Sequence, residues 1–132
     1  MRKIYCDTNF YIYLLEENIK YIKICKKLQE AKHQLVSSPF ILFEILKTTK
    51  YSEDKIKKIR QSFFDIPNLV MVDVDLETIE RAAKYCRKGK LKSTDALHMA
   101  AAVQNNCDEF ITNDKSIKNI RGIKITYIED LI

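Results

Sequence analysis

Glu44 stands inside an apolar run, with Phe40, Ile41, Leu42 and Phe43 before it and Ile45 and Leu46 after it. A helix that is apolar on nearly all sides is ordinarily buried. A buried carboxylate is costly unless something neutralises it. Either Lys47, one helical turn on, pairs with Glu44, or Glu44 faces a cavity that holds a positive charge. Asp7, Asp95 and Asp114 also lie at the ends of apolar segments, which favours the second reading. Carboxylates sharing one pocket cannot all ionise without a counter-charge, because like charges raise each other's pKa. A divalent cation meets that need, and an oxygen-only ligand set points to Mg²⁺ or Mn²⁺ rather than zinc. Such a centre activates water and stabilises an in-line displacement at phosphorus, so the chemistry implied is phosphodiester hydrolysis.

Those acids need elements to position them. Lys3 to Cys6 is a short β-favouring run ending at Asp7-Thr8-Asn9. Phe10 to Glu16 reads as a helix with Thr8 or Asn9 as its N-cap. Asn18 opens a second helix, whose apolar residues Ile19, Ile22, Cys25 and Leu28 recur at helical spacing. Gln34 to Ser37 is a strand. Ser38 then caps a third helix, with Pro39 at the first helical position. Ser52 heads a helix to about Asp65, Leu69 to Val74 is a strand, and Asp75 to Lys88 is a helix ended by Gly89. Ser93 to Asn105 is a small-residue helix, and Glu109 to Thr112 and Lys124 to Ile128 are strands. Strands alternate with helices throughout, which predicts a mainly parallel sheet covered on both faces. Ligands of such sheets bind beyond the carboxyl ends of the strands. Asp7 and Asp114 fall at that edge.

Taken singly, each acid has an ordinary explanation. Asp95 suits the first turn of a helix, and Asp7 and Asp114 suit turns. Jointly they are acids at one sheet edge, beside an anomalous acid in an apolar helix. The alanines after Asp95 allow close packing on the sheet, which would hold Asp95 near the strand ends. His98 reads as a satisfied structural histidine, because no partner acid or nucleophile is spaced to it.

The 132 residues fit one domain over 1–132, and a composition 46% hydrophobic and 31% charged is globular rather than disordered. Two glycines and two prolines argue against a turn-rich all-β fold. A net charge of +5 suits an anionic partner such as nucleic acid without demanding one. The cysteines Cys6, Cys25, Cys86 and Cys107 have no zinc-ligand spacing and read as free thiols of a reducing compartment. With no apolar leader and no membrane-length run, the expected location is the cytoplasm, with no membrane form.

Asp-Thr-Asn at 7–9, Glu44, Thr-Asp-Ala-Leu-His-Met-Ala-Ala at 94–101 and Thr-Asn-Asp-Lys at 112–115 together resemble the signature segments of PIN-domain nucleases. The nearest likeness is to the VapC-type ribonuclease toxins of toxin–antitoxin pairs. The resemblance covers the whole chain, in order. No single segment is specific, but the ordered set is. It implies a three-layer α/β/α sandwich around a mainly parallel five-stranded sheet. It implies a metal-dependent endoribonuclease, with Asp7, Glu44, Asp95 and Asp114 as metal-binding acids. Thr8, Asn9 and Thr112 would support them through hydrogen bonds. Asp7, Asp95 and Asp114 would hold the principal cation, and Glu44 would orient water or help recruit a second ion. A homodimer and a small antitoxin that blocks the site are the implied partners.

Two basic clusters are candidates for guiding RNA. One comprises Lys47, Lys50, Lys55, Lys57, Lys58 and Arg60; the other comprises Arg87, Lys88, Lys90 and Lys92. Each reads first as a solvated helix face, but the second runs up to Asp95 and is the favoured phosphate contact. The first two helices carry Phe10, Tyr11, Ile12, Tyr13, Leu14, Leu15, Tyr21 and Ile22, more apolar surface than one core face needs. The excess would form a groove for an amphipathic partner segment. Three other readings compete. A phosphorylated receiver would use Asp73 or Asp75, but it leaves Glu44 and Asp95 unexplained. A scaffold without chemistry rests on a Glu44–Lys47 pair. A PIN-type nuclease of housekeeping RNA processing shares the site and differs only in its target.

Overall fold

Short runs of branched and aromatic residues form the strands, and the computed structural model describes residues 1–120 and 122–131. In chain order the elements are β1 (Lys3–Cys6), α1 (Thr8–Leu15), α2 (Ile19–Glu30), β2 (Gln34–Ser37), α3 (Pro39–Leu46) and α4 (Glu53–Phe64). They continue with β3 (Leu69–Met71), α5 (Leu76–Arg87), α6 (Ser93–Gln104), β4 (Glu109–Thr112) and β5 (Lys124–Tyr127), and a 3₁₀ turn at Ile128–Leu131. The five strands form one sheet in the order β3-β2-β1-β4-β5, and every pairing is parallel. Helices cover both faces, as the alternation predicted.

The strand order sets where a ligand belongs. From β1 the chain builds outward through β2 and β3, then crosses back to add β4 and β5 on the other side of β1. The order therefore reverses between β1 and β4, and the crevice beyond their carboxyl ends is the switch point. Register pairs Cys6 with Ile111, so Asp7 and Thr112 emerge side by side there.

The core is aromatic at its centre. Tyr5, Phe10, Tyr11, Phe63 and Phe110 are fully buried. Tyr5 stacks on Phe110 at 5.5 Å between ring centroids, and Tyr11 meets Phe63 edge-on at 5.3 Å. Such pairs contribute about 1 kcal/mol each beyond the area they bury. Ala96 and Ala100 of α6 pack with Ala82 of α5, while Ala101 and Ala102 join the main core. The small residues thus let α6 approach both neighbours and pin its first turn.

Several boundaries differ from expectation for local reasons. The N-cap of α1 is Asp7, whose side chain accepts from Phe10 N at 3.4 Å, so the helix starts at Thr8 rather than Phe10. Ser38 occupies the N-cap position of α3 but makes no capping bond with its side chain. β3 stops at Met71 because its partner ends: Val72 N bonds Ser37 O, and α3 begins two residues after Ser37. Helix α3 is not buried on all sides, since Phe43 is 67% exposed while Ile41 and Ile45 face the core. Gly89, at φ +67°, ends α5 as expected. Among the described residues no helix is long and apolar enough to cross a membrane.

Candidate active site

Asp7 leaves β1 directly into the turn that caps α1, so the strand end and the helix N-terminus fix it together. Its backbone N–H bonds Ile111 O across the switch point at 3.0 Å. The buried Thr112 hydroxyl donates to Asp7 Oδ2 at 2.5 Å. Burial nonetheless raises the Asp7 carboxyl above its ordinary range, and the bonds from Thr112 and Phe10 only partly offset that rise.

Glu44 projects from α3 toward the same edge. The pair with Lys47 is not formed among the described residues. Lys47 lies 6.0 Å from the centroid of the Phe43 ring instead of pairing with Glu44. The Glu44 carboxylate accepts from Thr8 Oγ1 at 2.6 Å and is paired with His98 Nε2. Burial pushes the Glu44 carboxyl up, but the bonds from His98 and Thr8 outweigh it and hold it below the usual carboxylate value. His98 is therefore not without an acid partner. It finds one 54 residues away, on a different helix.

Asp95 sits in the first turn of α6, half-buried, and Asp114 lies just past β4. Burial raises Asp95, and the charge of Asp114 raises it further. Asp114 is lowered by the Ser116 hydroxyl, at 2.6 Å, and by the Ser116 N–H. Thr112 joins this group too, since its Oγ1 accepts from Asp114 N at 3.0 Å. One buried hydroxyl thus ties Asp7 and Asp114 together. Lys92, at the N-cap of α6, lowers both Asp95 and Asp114 by its charge.

The fold brings Asp7, Thr8, Glu44, Asp95, Thr112 and Asp114 to one edge. Asn9 is exposed, and its side chain makes no hydrogen bond among the described residues. Arg87, Lys88, Lys90 and Lys92 are exposed at the α5–α6 junction. In the other basic cluster, Lys50 pairs with Glu16 at 3.6 Å and Arg60 stacks on Phe64 at 4.7 Å. Asp75 is occupied as the N-cap of α5, bonded to Thr78 and Gln104, and it follows an edge strand. That position does not suit a receiver's phosphorylated acid, which needs the middle of the sheet.

No three acidic, histidine or cysteine side chains among the described residues are already drawn into a cage for a metal ion. The donor chemistry still fits a hard divalent cation: carboxylates only, two of them raised by burial, and one raised further by a neighbouring acid. A cation closing that set relieves the repulsion. The folded-state pKa of Asp95 is raised, so its ionised form opposes folding at neutral pH. That penalty disappears as pH falls below the ordinary carboxylate range. Asp95→Asn is therefore expected to raise the Tm of metal-free protein at pH 7. The two proteins should melt alike near about pH 3. Circular-dichroism melts across that range check the sign, and a lower Tm for the variant at pH 7 would contradict it.

A parallel sheet flanked by helices, with acids gathered at its switch point, defines an α/β sandwich with an acidic crevice. The PIN domain model matches residues 4–123, and the chain belongs to the PIN domain family. Solved structures that share the fold include the following three. VapBC2 from Rickettsia felis, bound to a DNA fragment from its promoter, superposes with a TM-score of 0.74 at 18% identity, over 95% of this chain and 98% of that one. DNA-bound VapBC from Salmonella typhimurium gives 0.73 at 20%, over 97% and 99%. A toxin–antitoxin complex from Klebsiella pneumoniae gives 0.66 at 20%, over 91% and 94%. No curated protein matches by sequence.

Proposed function

We propose that this chain is one nuclease domain, a metal-dependent endoribonuclease acting as the toxin of a toxin–antitoxin pair. The observation that carries the reading is the placement of Asp7, Glu44, Asp95 and Asp114 at one switch-point edge, within a chain of the PIN domain family. Proteins of this family generally use divalent metal ions. Asp7, Asp95 and Asp114 would hold Mg²⁺ or Mn²⁺, and Glu44 would orient the attacking water or help recruit a second cation. A cation bound there supplies charge neutralisation at the phosphate and lowers the pKa of water. Thr112 keeps Asp7 and Asp114 in register, and Thr8 holds Glu44. Water attacks phosphorus in line and the 3′-oxygen leaves, giving a 5′-phosphate and a 3′-hydroxyl. Incubation with RNA and DNA of matched sequence, followed by end mapping, tests this reading. RNA fragments with 5′-phosphates support it; cleavage of DNA alone, or 2′,3′-cyclic ends, would contradict it.

The three similar structures are VapBC or toxin–antitoxin complexes, which favours a toxin over a housekeeping nuclease. A cleft of about 600 Å³, with Ile12, Leu15, Ile45, Tyr51 and Ile59 in its lining, lies between α1, α3 and α4. It offers a trough for an amphipathic antitoxin segment, apolar along Ile12, Leu15, Ile45 and Ile59 and lined also by Glu16, Glu17, Lys50, Lys55 and Lys58. Of the apolar residues on α1 and α2, Phe10, Tyr11 and Tyr21 are buried, Tyr13 and Ile22 are exposed, and Ile12 and Leu15 line this cleft. Exposed Leu76 and Ile79 on α5 supply apolar surface for a homodimer. Free cysteines accord with the reducing cytoplasm. Arg87, Lys88, Lys90 and Lys92 would contact phosphates on the approach to Asp95. Reversing two of these charges should weaken RNA binding and flatten the slope of log K against log salt by roughly 1–2. An unchanged slope in a filter-binding titration would return these residues to an ordinary solvated face.

A further inference from the structure

A chain of buried polar groups crosses the core and ends on a single carboxylate oxygen. Tyr5 lies on the central strand β1 and is fully buried, as is Ser38; His98 is 3% exposed. The Ser38 hydroxyl lies 2.7 Å from Tyr5 Oη, and Tyr5 Oη lies 2.8 Å from His98 Nδ1. His98 Nε2 meets Glu44 Oε1, which also accepts from Thr8. A carboxylate only accepts, so Nε2 carries the hydrogen. In the neutral ring Nδ1 is then the acceptor, Tyr5 donates to it, and Ser38 donates to Tyr5. Phe40 packs edge-on against the imidazole, with 6.1 Å between ring centroids. The ring is thus held at both nitrogens and on one side.

Core stability alone does not call for this arrangement. Tyrosine, serine and histidine hydroxyls and nitrogens inside an apolar core gain little over well-packed apolar residues. Ser38 occupies a helix N-cap yet makes no cap bond with its side chain, and its hydroxyl meets Tyr5 instead. Both donors on Glu44 converge on Oε1, and Oε2 has no hydrogen-bond partner among the described residues. One oxygen is anchored and the other is left to serve the site. We propose that His98 is a positioning residue for Glu44, itself oriented by Tyr5 and Ser38, so that Glu44 meets an incoming divalent cation in a fixed orientation. This rests on the metal-site reading above, and it assigns His98, Tyr5 and Ser38 a part in it that neither helix capping nor core packing supplies.

The test is Mn²⁺ binding, read as the loss of the free-ion EPR signal, which requires no catalysis. The proteins are wild type, Asp7→Ala, Glu44→Ala, His98→Ala, His98→Gln, Tyr5→Phe and the Glu44→Ala/His98→Ala double variant, each with its Tm. Removing the outer hydrogen bond to a metal-ligating carboxylate weakens metal binding by ~10-fold, and that is the loss expected for His98→Ala. His98→Gln, which keeps an N–H near the Nε2 position, should recover binding to within ~3-fold of wild type. In the Glu44→Ala background, removing His98 should change Kd by less than about twofold, because the two act as one unit. A folded His98→Ala with wild-type affinity, or a loss that persists at full size without Glu44, overturns the proposal. Should His98→Ala fail to fold, Tyr5→Phe decides, made alone and together with Glu44→Ala: a weakening of binding that is absent once Glu44 is already alanine supports the proposal, and unchanged binding overturns it. Wild-type protein that binds no Mn²⁺, or an Asp7→Ala variant that binds as well as wild type, overturns the metal reading and this inference with it. Asp7-dependent binding that ignores His98 and Tyr5 overturns this inference alone.

Discussion

Asp7→Ala is expected to lower RNA cleavage by ~10³-fold or more, the equivalent of ~4 kcal/mol of lost transition-state stabilisation. Asp7 sits where the strand order reverses, bonded through its backbone to Ile111 and through its side chain to Thr112. No other acid occupies the end of β1, so none can replace it without moving the strand. The fold should survive. Losing the N-cap bond to Phe10 costs about 1 kcal/mol, while removing a carboxylate whose burial opposes its charge returns part of that. Far-UV circular dichroism should be unchanged, with Tm within a few degrees of wild type. Asp7→Asn keeps the capping oxygen and should fold at least as well, yet bind Mn²⁺ poorly. Full cleavage by either variant would remove Asp7 from the site.

Thr112→Val is the second large effect. Valine matches threonine in shape but deletes both bonds of the hydroxyl. Asp7 Oδ2 then loses its 2.5 Å donor and Asp114 N its 3.0 Å acceptor, at a position with no exposed surface. Both bonds are part-buried, so each unpaired group costs about 1 kcal/mol, and Tm should fall by roughly 5–10 °C. Mn²⁺ affinity should drop ~10–100-fold, the usual effect of removing a support from a metal ligand. Thr112→Ser restores the hydroxyl and should recover most of both losses. A Val variant with wild-type affinity would mean that Thr112 serves stability alone.

Much of the architecture was legible in local patterns, because short branched runs and capping residues act over a few positions. Lys3–Cys6, Gln34–Ser37 and Glu109–Thr112 are strands with the expected bounds. The start of α1 was misplaced because Asp7, Thr8 and Asn9 are all good N-cap residues, and only the β1–β4 register puts Asp7 in that role. β3 was drawn too long because its residues favour strand to Val74, while the ladder ends with its neighbour β2. Glu44 was conspicuous as a carboxylate in an apolar run. Its partner was not, because His98 lies 54 residues away and nearness across a fold leaves no trace in spacing. An aromatic hydroxyl on the central strand was the available hint. Tyr5 needs a buried hydrogen-bond partner, and His98 is one of only two histidines in the chain.

The most direct test of the central claim is cleavage of a mixed RNA pool by purified protein that is folded and free of any bound inhibitor, with Mg²⁺ or Mn²⁺, with EDTA, and with the metal restored. Cleavage that requires the metal, stops with EDTA and returns on re-addition is the expected result. Cleavage that persists in EDTA, or none with either metal, would contradict a metal-dependent ribonuclease built on Asp7, Glu44, Asp95 and Asp114.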